Sequence, residues 1–442
     1  MKIAVAGTGY VGLVSGVCLA EMGHEVVCVD TDQQKIQSMK KGISPIYEDG
    51  LEEMMRRNYR EGRVDYTTDY AAAYRDARVI FIGVGTPEQS DGSADLSYVT
   101  QAARQIAESV ENDCLVVIKS TVPVGTNDKV EQYIRDFLKR DVYIEVASNP
   151  EFLSQGTAVR DTLMARRIVI GTNSRRAEEI LREIYEPFHL PIVSVSRRSA
   201  EIIKYAANDF LALKISYMNE IANLCELVGA NVQDVAEGMG YDERIGKDFL
   251  KAGIGYGGSC FPKDTKALDF LAGQKGYVLK TVRAAMEVNE AQSVRLFEKA
   301  KNRLLSFRGL KTAVLGLTFK PGTDDLREAP SLKNINLLLN AGADLYVYDP
   351  VGCKAFKQKY VRENITYCDN PETALRDANI CFIFTEWKEI KEITSEQYKL
   401  WMKNALVYDG RNIYSPTDMK NAGIEYYSVG LSLIHISEPT RP

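Results

Sequence analysis

Apolar residues along the first two hundred positions fall into short continuous blocks, separated by longer amphipathic stretches. Met1–Ala6, Glu25–Val29, Val79–Val84, Cys114–Ile118 and Tyr143–Ala147 are rich in β-branched residues and read as buried strands. Leu13–Met22, closed by Gly23, reads as a helix between the first two. Strands that alternate with helices predict a doubly wound parallel sheet, with its ligand crevice at the carboxyl ends of the strands. The pattern then turns helical from about 200 to 227, where Ile202, Ile203, Tyr205, Ala206, Phe210, Leu213, Tyr217 and Ile221 form a stripe. Most of that stripe is expected to pack into a core. A second helical run covers about 278–305 and is long enough to connect two domains and carry a dimer seam. Strand-like blocks resume at Thr312–Leu317, Ala343–Tyr348, Ile380–Thr385 and Ala405–Asp409, with a helix over Ser331–Asn340.

The predicted fold class is therefore α/β: two Rossmann-like doubly wound domains joined by a long helical central segment. The boundaries are 1–199, 200–305 and 306–430, and 431–442 follows no periodic pattern and is expected to be a foreign or disordered tail.

Composition narrows the function classes. The 442 residues carry 55 Lys and Arg against 60 Asp and Glu, a net charge of −5 with dispersed cations, so a nucleic-acid surface is not expected. No apolar run reaches the length of a membrane span, and the chain opens directly in a strand with no signal sequence, which predicts a cytoplasmic protein. The eight cysteines show no paired spacing and fit reduced thiols, and three scattered histidines offer no metal cluster, so no metal is expected.

Two motifs carry chemistry. The first strand runs into Gly7-Thr8-Gly9-Tyr10-Val11-Gly12, and the second ends in Asp30. Glycines there permit a tight turn, approach of a pyrophosphate and close helix packing, while the helix N-terminus attracts the phosphate charge. A carboxylate at the end of the second strand suits the ribose hydroxyls and repels a 2′-phosphate, so NAD is preferred over NADP. The second motif is Gly257-Gly258-Ser259-Cys260-Phe261-Pro262-Lys263-Asp264. It sets one thiol between flexible glycines and a proline, with a cation nearby to favour thiolate. A lone cysteine is more often a buried structural residue; its surroundings give this one the features of a nucleophile. Lys204 and Asn208, four apart, share one helix face.

Taken in order, GTGYVG, GVGTP, STVPVGT, SNPEFL, GYGGSCFPKDT, GLTFKPGTDDLRE and DGR resemble the UDP-glucose/GDP-mannose dehydrogenase family, from Met1 to about Gly430. The resemblance implies an NAD-dependent homodimer that oxidises UDP-glucose twice, to UDP-glucuronate. Such chemistry needs two hydride transfers and one water without release of an aldehyde, and a cysteine supplies this through a thiohemiacetal and a thioester. By resemblance Cys260 is the nucleophile and Asp264 lies near the thiol and the water. Lys204 and Asn208 face the reacting end of the sugar, and Thr121 and Glu151 handle water or proton. Gly7, Gly9, Tyr10, Val11, Gly12, Asp30, Lys35, Thr86, Thr121, Gln155, Lys263 and Arg327 are implied around NAD. Substrate contacts are implied for Glu151, Phe152, Leu153, Ser154, Lys204, Asn208, Phe249, Leu250, Lys251, Ala252, Gly253, Gly257, Phe319, Lys320 and Arg411, with Arg244 reaching across a dimer. The family pattern has a second acid four residues after Glu151; here that position is Gln155, which leaves Glu151 as the carboxylate of this loop.

Three alternatives stand beside this reading. The first is the same chemistry on GDP-mannose or an N-acetylated UDP-hexosamine. The second is a single-step hydroxyacid dehydrogenase, which shares the domain plan but releases one NADH per substrate. The third is an NAD-sensing protein with no activity, against which the intact cysteine motif argues.

Overall fold

The computed structural model describes residues 1–431; apart from Leu431, the tail set apart above lies outside the described residues. Leu431 itself forms a bridge with Asn231. The described chain forms two compact units, one of 1–207 with 266–276, the other of 208–265 with the chain from 277 onward. Two of the three divisions fall inside helices, Arg197–Val228 and Phe261–Gln274, and the third follows the second helix.

The first unit is built on an eight-stranded sheet: β1 (Lys2–Ala6), β2 (Glu25–Val29), β3 (Val64–Thr67), β4 (Val79–Ile82), β5 (Cys114–Ile118), β6 (Ile144–Ser148), β7 (Ile168–Gly171) and β8 (Ile192–Val195). The order is β3-β2-β1-β4-β5-β6-β7-β8, parallel throughout except where Ser148 meets Gly171 in antiparallel register between β6 and β7. The central strands are buried on both faces, which is why they read as unbroken apolar blocks. The order reverses between β1 and β4, the crevice where such sheets hold ligands.

The first helix starts at Tyr10, three residues before its apolar periodicity begins, because Gly9 is its N-cap and accepts the Leu13 N–H at 2.9 Å. The last half of the glycine motif is thus the first helical turn. Its glycines do different things. Gly7 holds φ at +94°. A side chain on Gly9 would meet nothing within 4 Å, so that face stays open, whereas a Cβ on Gly12 would lie 2.0 Å from the Gly7 carbonyl oxygen. Gly12 lets the helix press against the turn.

The second unit has a six-stranded parallel sheet: β9 (Lys311–Leu315), β10 (Asp344–Tyr348), β11 (Ile365–Tyr367), β12 (Ile380–Ile383), β13 (Leu406–Asp409) and β14 (Glu425–Tyr427), in the order β11-β10-β9-β12-β13-β14. This repeats the winding of the first sheet. Two α/β sheets with helical segments between them are the architecture expected from the sequence.

The helix Arg197–Val228 departs from expectation. Of the apolar stripe, only Tyr205 is buried; Ile202, Ala206, Phe210 and Tyr217 are exposed. The buried positions mix polar Glu201, Lys204, Asn208, Asp209, Ser216 and Asn219 with apolar Ala200, Tyr205, Ala212, Met218, Ala222 and Cys225. Periodicity located the faces correctly, but the inward one was assigned by hydrophobicity, and here buried hydrogen bonds decide.

Gly12→Ala should cost roughly 1–3 kcal/mol by overpacking. The thermal midpoint of the first unit should fall by several degrees, and NAD affinity by tenfold or more. An unchanged midpoint in calorimetry would show that the turn relaxes around a methyl group.

Candidate active site

In the first unit the polar face of the long helix meets the loops after β5 and β6. Lys204 Nζ lies 3.0 Å from Glu151 Oε1, with both side chains almost wholly buried. The other Glu151 oxygen accepts the Leu153 N–H at 2.7 Å. Lys204 also stands over the Phe152 ring at 5.5 Å, and Arg167 stacks on the same ring at 4.0 Å. Glu201 ties the helix to the STVPVGT loop: it accepts from the backbone N–H groups of Gly125 (2.6 Å) and Asn127 (2.8 Å) and from the Asn127 amide (2.7 Å). Gly125 is the N-cap of the helix Thr126–Phe137, so a buried carboxylate sits at a helix N-terminus, where its charge is stabilised.

Lys119, at the end of β5, is buried in the same region. Its ammonium donates to Asn149 Oδ1 at 2.9 Å, and Tyr185 donates to the same oxygen at 2.5 Å. Burial pulls the Lys119 ammonium down to about 8, Glu151 pushes it back up, and Lys204 lowers it further. Two buried ammonium groups thus share the field of one carboxylate. Glu201, on the same helix face, is a second buried carboxylate, so the two ammonium groups stand among two acids.

The glycine turn, Asp30, Lys35, Thr86, Thr121 and Gln155 lie in the same unit, while Lys263 and Arg327, also expected around NAD, belong to the second. Asp30 Oδ2 accepts from the Thr8 N–H (3.1 Å), the Thr8 hydroxyl (2.5 Å) and Lys35 Nζ (3.0 Å), and Oδ1 accepts from the Asp32 N–H (3.1 Å). Burial raises its carboxyl, but these hydrogen bonds and the Lys35 charge outweigh it and hold the group below the usual carboxylate range. Asp30 is therefore an anion beside the open glycine turn. Tyr10 donates to the Tyr47 carbonyl at 2.7 Å, and the Thr86 hydroxyl donates to the Thr121 carbonyl at 2.8 Å, joining the loops after β4 and β5. Gln155 is buried in a loop held by Glu48, which accepts from the Gly156 and Ala158 N–H groups at 2.7 and 2.6 Å. Open glycines, an anionic Asp30 and a helix whose first turn carries no acid fit a dinucleotide.

In the second unit, Cys260 immediately precedes the helix Phe261–Gln274, and its carbonyl accepts the Asp264 N–H at 2.8 Å. The thiol, partly exposed, stands at a helix N-terminus, which favours negative charge on sulfur. Ser259 Oγ lies 3.8 Å from Sγ. Asp264 is buried one turn on; it accepts from the Asn208 amide at 2.6 Å and from Lys263 Nζ at 2.5 Å. The Lys263 ammonium expected to act on the thiol is thus engaged with the neighbouring carboxylate.

The glycine run before the thiol is demanded by its neighbours. A Cβ on Gly257 would lie 2.2 Å from the Glu328 carbonyl oxygen, and one on Gly258 (φ +84°) would meet the Phe319 ring at 2.8 Å. The Gly258 N–H donates to the Arg327 carbonyl at 2.8 Å. Arg411 joins the same assembly, donating to the carbonyls of Phe384 (2.8 Å), Phe319 (3.1 Å) and Gly255 (3.3 Å). Asn219 accepts the Gly253 N–H at 2.8 Å. The structure therefore gathers Gly253, Gly257, Cys260, Phe319, Arg327 and Arg411 around one loop. Leu250 and Ala252 are buried beneath it, while Phe249, with φ at +65°, and Lys251 are exposed. The Lys320 ammonium stands 5.6 Å over the Phe319 ring, and the Arg327 side chain pairs with Asp325. Arg244 lies outside this assembly, its side chain 89% exposed and paired with Asp242 at 2.6 Å.

The second sheet has an acid at the end of its second strand too, Asp349, matching Asp30 in position. All of its hydrogen bonding is internal: Oδ2 accepts from the Leu317 and Thr318 N–H groups, the Thr318 hydroxyl and the Trp387 indole, and Oδ1 from the Val351 and Gly352 N–H groups. Asp349 is thus satisfied from within its own unit, and no GxGxxG turn stands beside it.

A cavity of about 420 Å³ lies at the opposite, amino ends of the strands of the first sheet, lined by Arg78, Asp113, Glu145 and Arg176 among others. It contains none of the residues singled out. Arg78 pairs with Glu183 and Arg176 with Asp113 across it, as solvated surface charges do.

Sequence reasoning missed Glu48, Lys119, Glu201 and Asp209. Glu201, Lys204, Asn208 and Asp209 recur at helical spacing, so a polar stripe was available as a signal. Lys119 stands directly before the STVPVGT motif, and only its burial reveals it.

Replacing Lys119 by Met tests the buried charge. With its folded value below that of an unfolded lysine, the folded chain gives up the proton first, and wild-type stability gains as pH rises from 8 towards 10. The stability gap between variant and wild type should therefore move towards wild type by about 2–3 kcal/mol between pH 7 and 10, read from denaturant midpoints. A gap that does not change with pH would mean that Lys119 keeps an ordinary ammonium.

Comparisons with known proteins agree with this geometry. Residues 1–189 match the NAD binding domain of the UDP-glucose/GDP-mannose dehydrogenase family, 198–291 its central domain and 313–416 its UDP binding domain. The UDP-glucose 6-dehydrogenase YwqF of Bacillus subtilis (strain 168) is 49% identical over 97% of this chain and 98% of its own. The UDP-glucose 6-dehydrogenase of Rhizobium meliloti (strain 1021) is 46% identical over 97% of this chain and 99% of its own. Among solved structures, a UDP-glucose dehydrogenase from the hyperthermophilic archaeon Pyrobaculum islandicum superposes with a TM-score of 0.91 at 37% identity, covering 97% of each chain. With an anionic acid at an open glycine turn, a thiol at a helix N-terminus and all three family domains in order, the chain belongs to the UDP-glucose/GDP-mannose dehydrogenase family of NAD-dependent oxidoreductases.

Proposed function

We propose that the chain oxidises UDP-glucose to UDP-glucuronate in two steps on one thiol. The observation that carries this reading is Cys260 at a helix N-terminus, one turn from an Asp264 held by Asn208 and Lys263. Bound NAD supplies a hydride acceptor for each oxidation. In the first step the C6 alcohol loses a hydride and a proton to become an aldehyde, and the Lys204 ammonium stabilises negative charge on its oxygen. The Cys260 sulfur then adds to the aldehyde carbon to give a thiohemiacetal, so the aldehyde does not escape. Loss of a second hydride and the hydroxyl proton leaves a thioester. Water attacks its carbonyl, giving its proton to a carboxylate, and the thiolate leaves. Asp264, one helical turn after Cys260, takes that last proton, and Glu151, paired with Lys204, serves the sugar end.

Substrate recognition follows the same division. Lys320 and the loop Phe249–Gly253 supply cations and shape for the uridine diphosphate on the second unit, and Arg411 holds that loop in place. The anionic Asp30 repels a 2′-phosphate, so NAD is the cofactor used. No helix among the described residues is long and apolar enough to cross a membrane, and with its reduced thiols the enzyme belongs in the cytoplasm.

The protein works as a homodimer. Phe210, Tyr217 and Leu224 recur every seven residues on one helix and are 61%, 49% and 52% exposed, with Leu227 and Val228 beside the last. Such a seam is what helix pairing buries. Glu at both Phe210 and Tyr217 should convert the dimer to a monomer in light scattering; a monomeric wild type would remove the dimer from this account.

The activity is tested by counting NADH released per sugar across a panel of nucleotide sugars. Two per UDP-glucose are expected, whereas one would place the chain with single-step dehydrogenases. Cys260→Ser should bind both ligands yet lose turnover by about 10²-fold or more, or accumulate an ester. Normal steady-state turnover in that variant would exclude the covalent route.

A further inference from the structure

Asp209 follows Asn208 on the long helix and is buried to 5% exposure. Neither of its carboxylate oxygens has a hydrogen-bond partner. An ionised carboxylate in that condition pays for desolvation with nothing in return. The groups facing it make ionisation worse. From the helix Phe261–Gln274 it faces Asp264, already an acceptor of the Asn208 amide and the Lys263 ammonium. From the loop before Cys260 it faces Tyr256, whose phenol is itself buried and so kept protonated. On its own helix Tyr205, one turn back, is a buried phenol, and Asn208 and Ser216 are neutral. The Lys263 ammonium is engaged with Asp264.

We propose that Asp209 is a positioning residue that stays a neutral carboxylic acid while Asp264 carries the single negative charge of the pair. Two buried carboxyls that face each other do not both ionise readily. Donors decide where the charge sits. Asp264 has two strong ones and Asp209 has none, so the proton resides on Asp209. Asp264 is thereby kept as the carboxylate that can accept a proton from the hydrolytic water beside Cys260. Burial first, and Asp264 second, push the Asp209 carboxyl up to about 7. The protonated form therefore dominates below neutrality and is lost above it. This inference rests on the proposed role of Asp264, but its charge state is independent of turnover.

The test is infrared spectroscopy of the full-length protein between pH 5 and 9. The carbonyl stretch of a buried protonated carboxyl should be present at pH 6 and titrate away with a midpoint near 7. Asp209→Asn, which keeps size and removes the proton, should abolish that band; Cys260→Ser should keep it. In Asp264→Asn the midpoint should fall, since the neighbouring charge is gone. The pH profile of turnover in wild type should show an inflection near neutrality that Asp209→Asn lacks. The proposal is overturned if no such band exists, if it survives in Asp209→Asn, or if Asp264→Asn leaves its midpoint in place. A chain that fails to oxidise UDP-glucose twice would overturn the proposed function yet leave the band, so the two failures are distinguishable.

Discussion

A helix that buries polar side chains is the constraint on which the rest depends. Glu201, Lys204, Asn208 and Asp209 point inward from Arg197–Val228, and the apolar Phe210, Tyr217 and Leu224 point outward. Burying ions is costly unless each is paired or hydrogen-bonded. The surrounding loops meet that demand: Glu201 takes three donors around Gly125, Lys204 takes Glu151, and Asn208 takes Asp264. Each pairing fixes a different loop against the helix, so the cost of burial is offset by bonds that also set the geometry of the site. Asp209 alone lacks such a bond, which is why its proton becomes the variable.

Glycine supplies the second constraint. The turn before Cys260 and the turn after β1 are both pressed by backbone from another segment, the first by Glu328 and the second by Gly7 and Gly83. In each case the nearest obstacle to a side chain is a carbonyl oxygen, which cannot swing away as a side-chain end could. The glycines are therefore set by packing as well as by approach to a ligand.

Legibility followed from which forces act locally. β1, β4 and β5 were readable because strands buried on both faces must be apolar along their whole length. The dinucleotide turn and the Cys260 motif were readable because their spacing reflects chemistry within a few residues. The polarity of the long helix was not, since periodicity gives the faces but not which one is covered. Lys119, Glu48 and Asp209 were invisible for a related reason. Single charged residues are ordinarily solvated, and only the fold shows that these three are buried.

The two sheets show how one winding serves two ends. Asp30 and Asp349 occupy the same position in their sheets, each after the second strand of a βαβ unit. Asp30 has three donors on one oxygen and one on the other, and stands beside an open Gly9. Asp349 is closed off by six donors from its own unit, among them the Trp387 indole. A carboxylate so satisfied gains nothing from a ribose, because binding would exchange one set of hydrogen bonds for another. The second sheet is thus freed from dinucleotide binding, and Phe319, Arg327 and Arg411, on the loops after β9 and β13, instead brace the turn that carries the nucleophile.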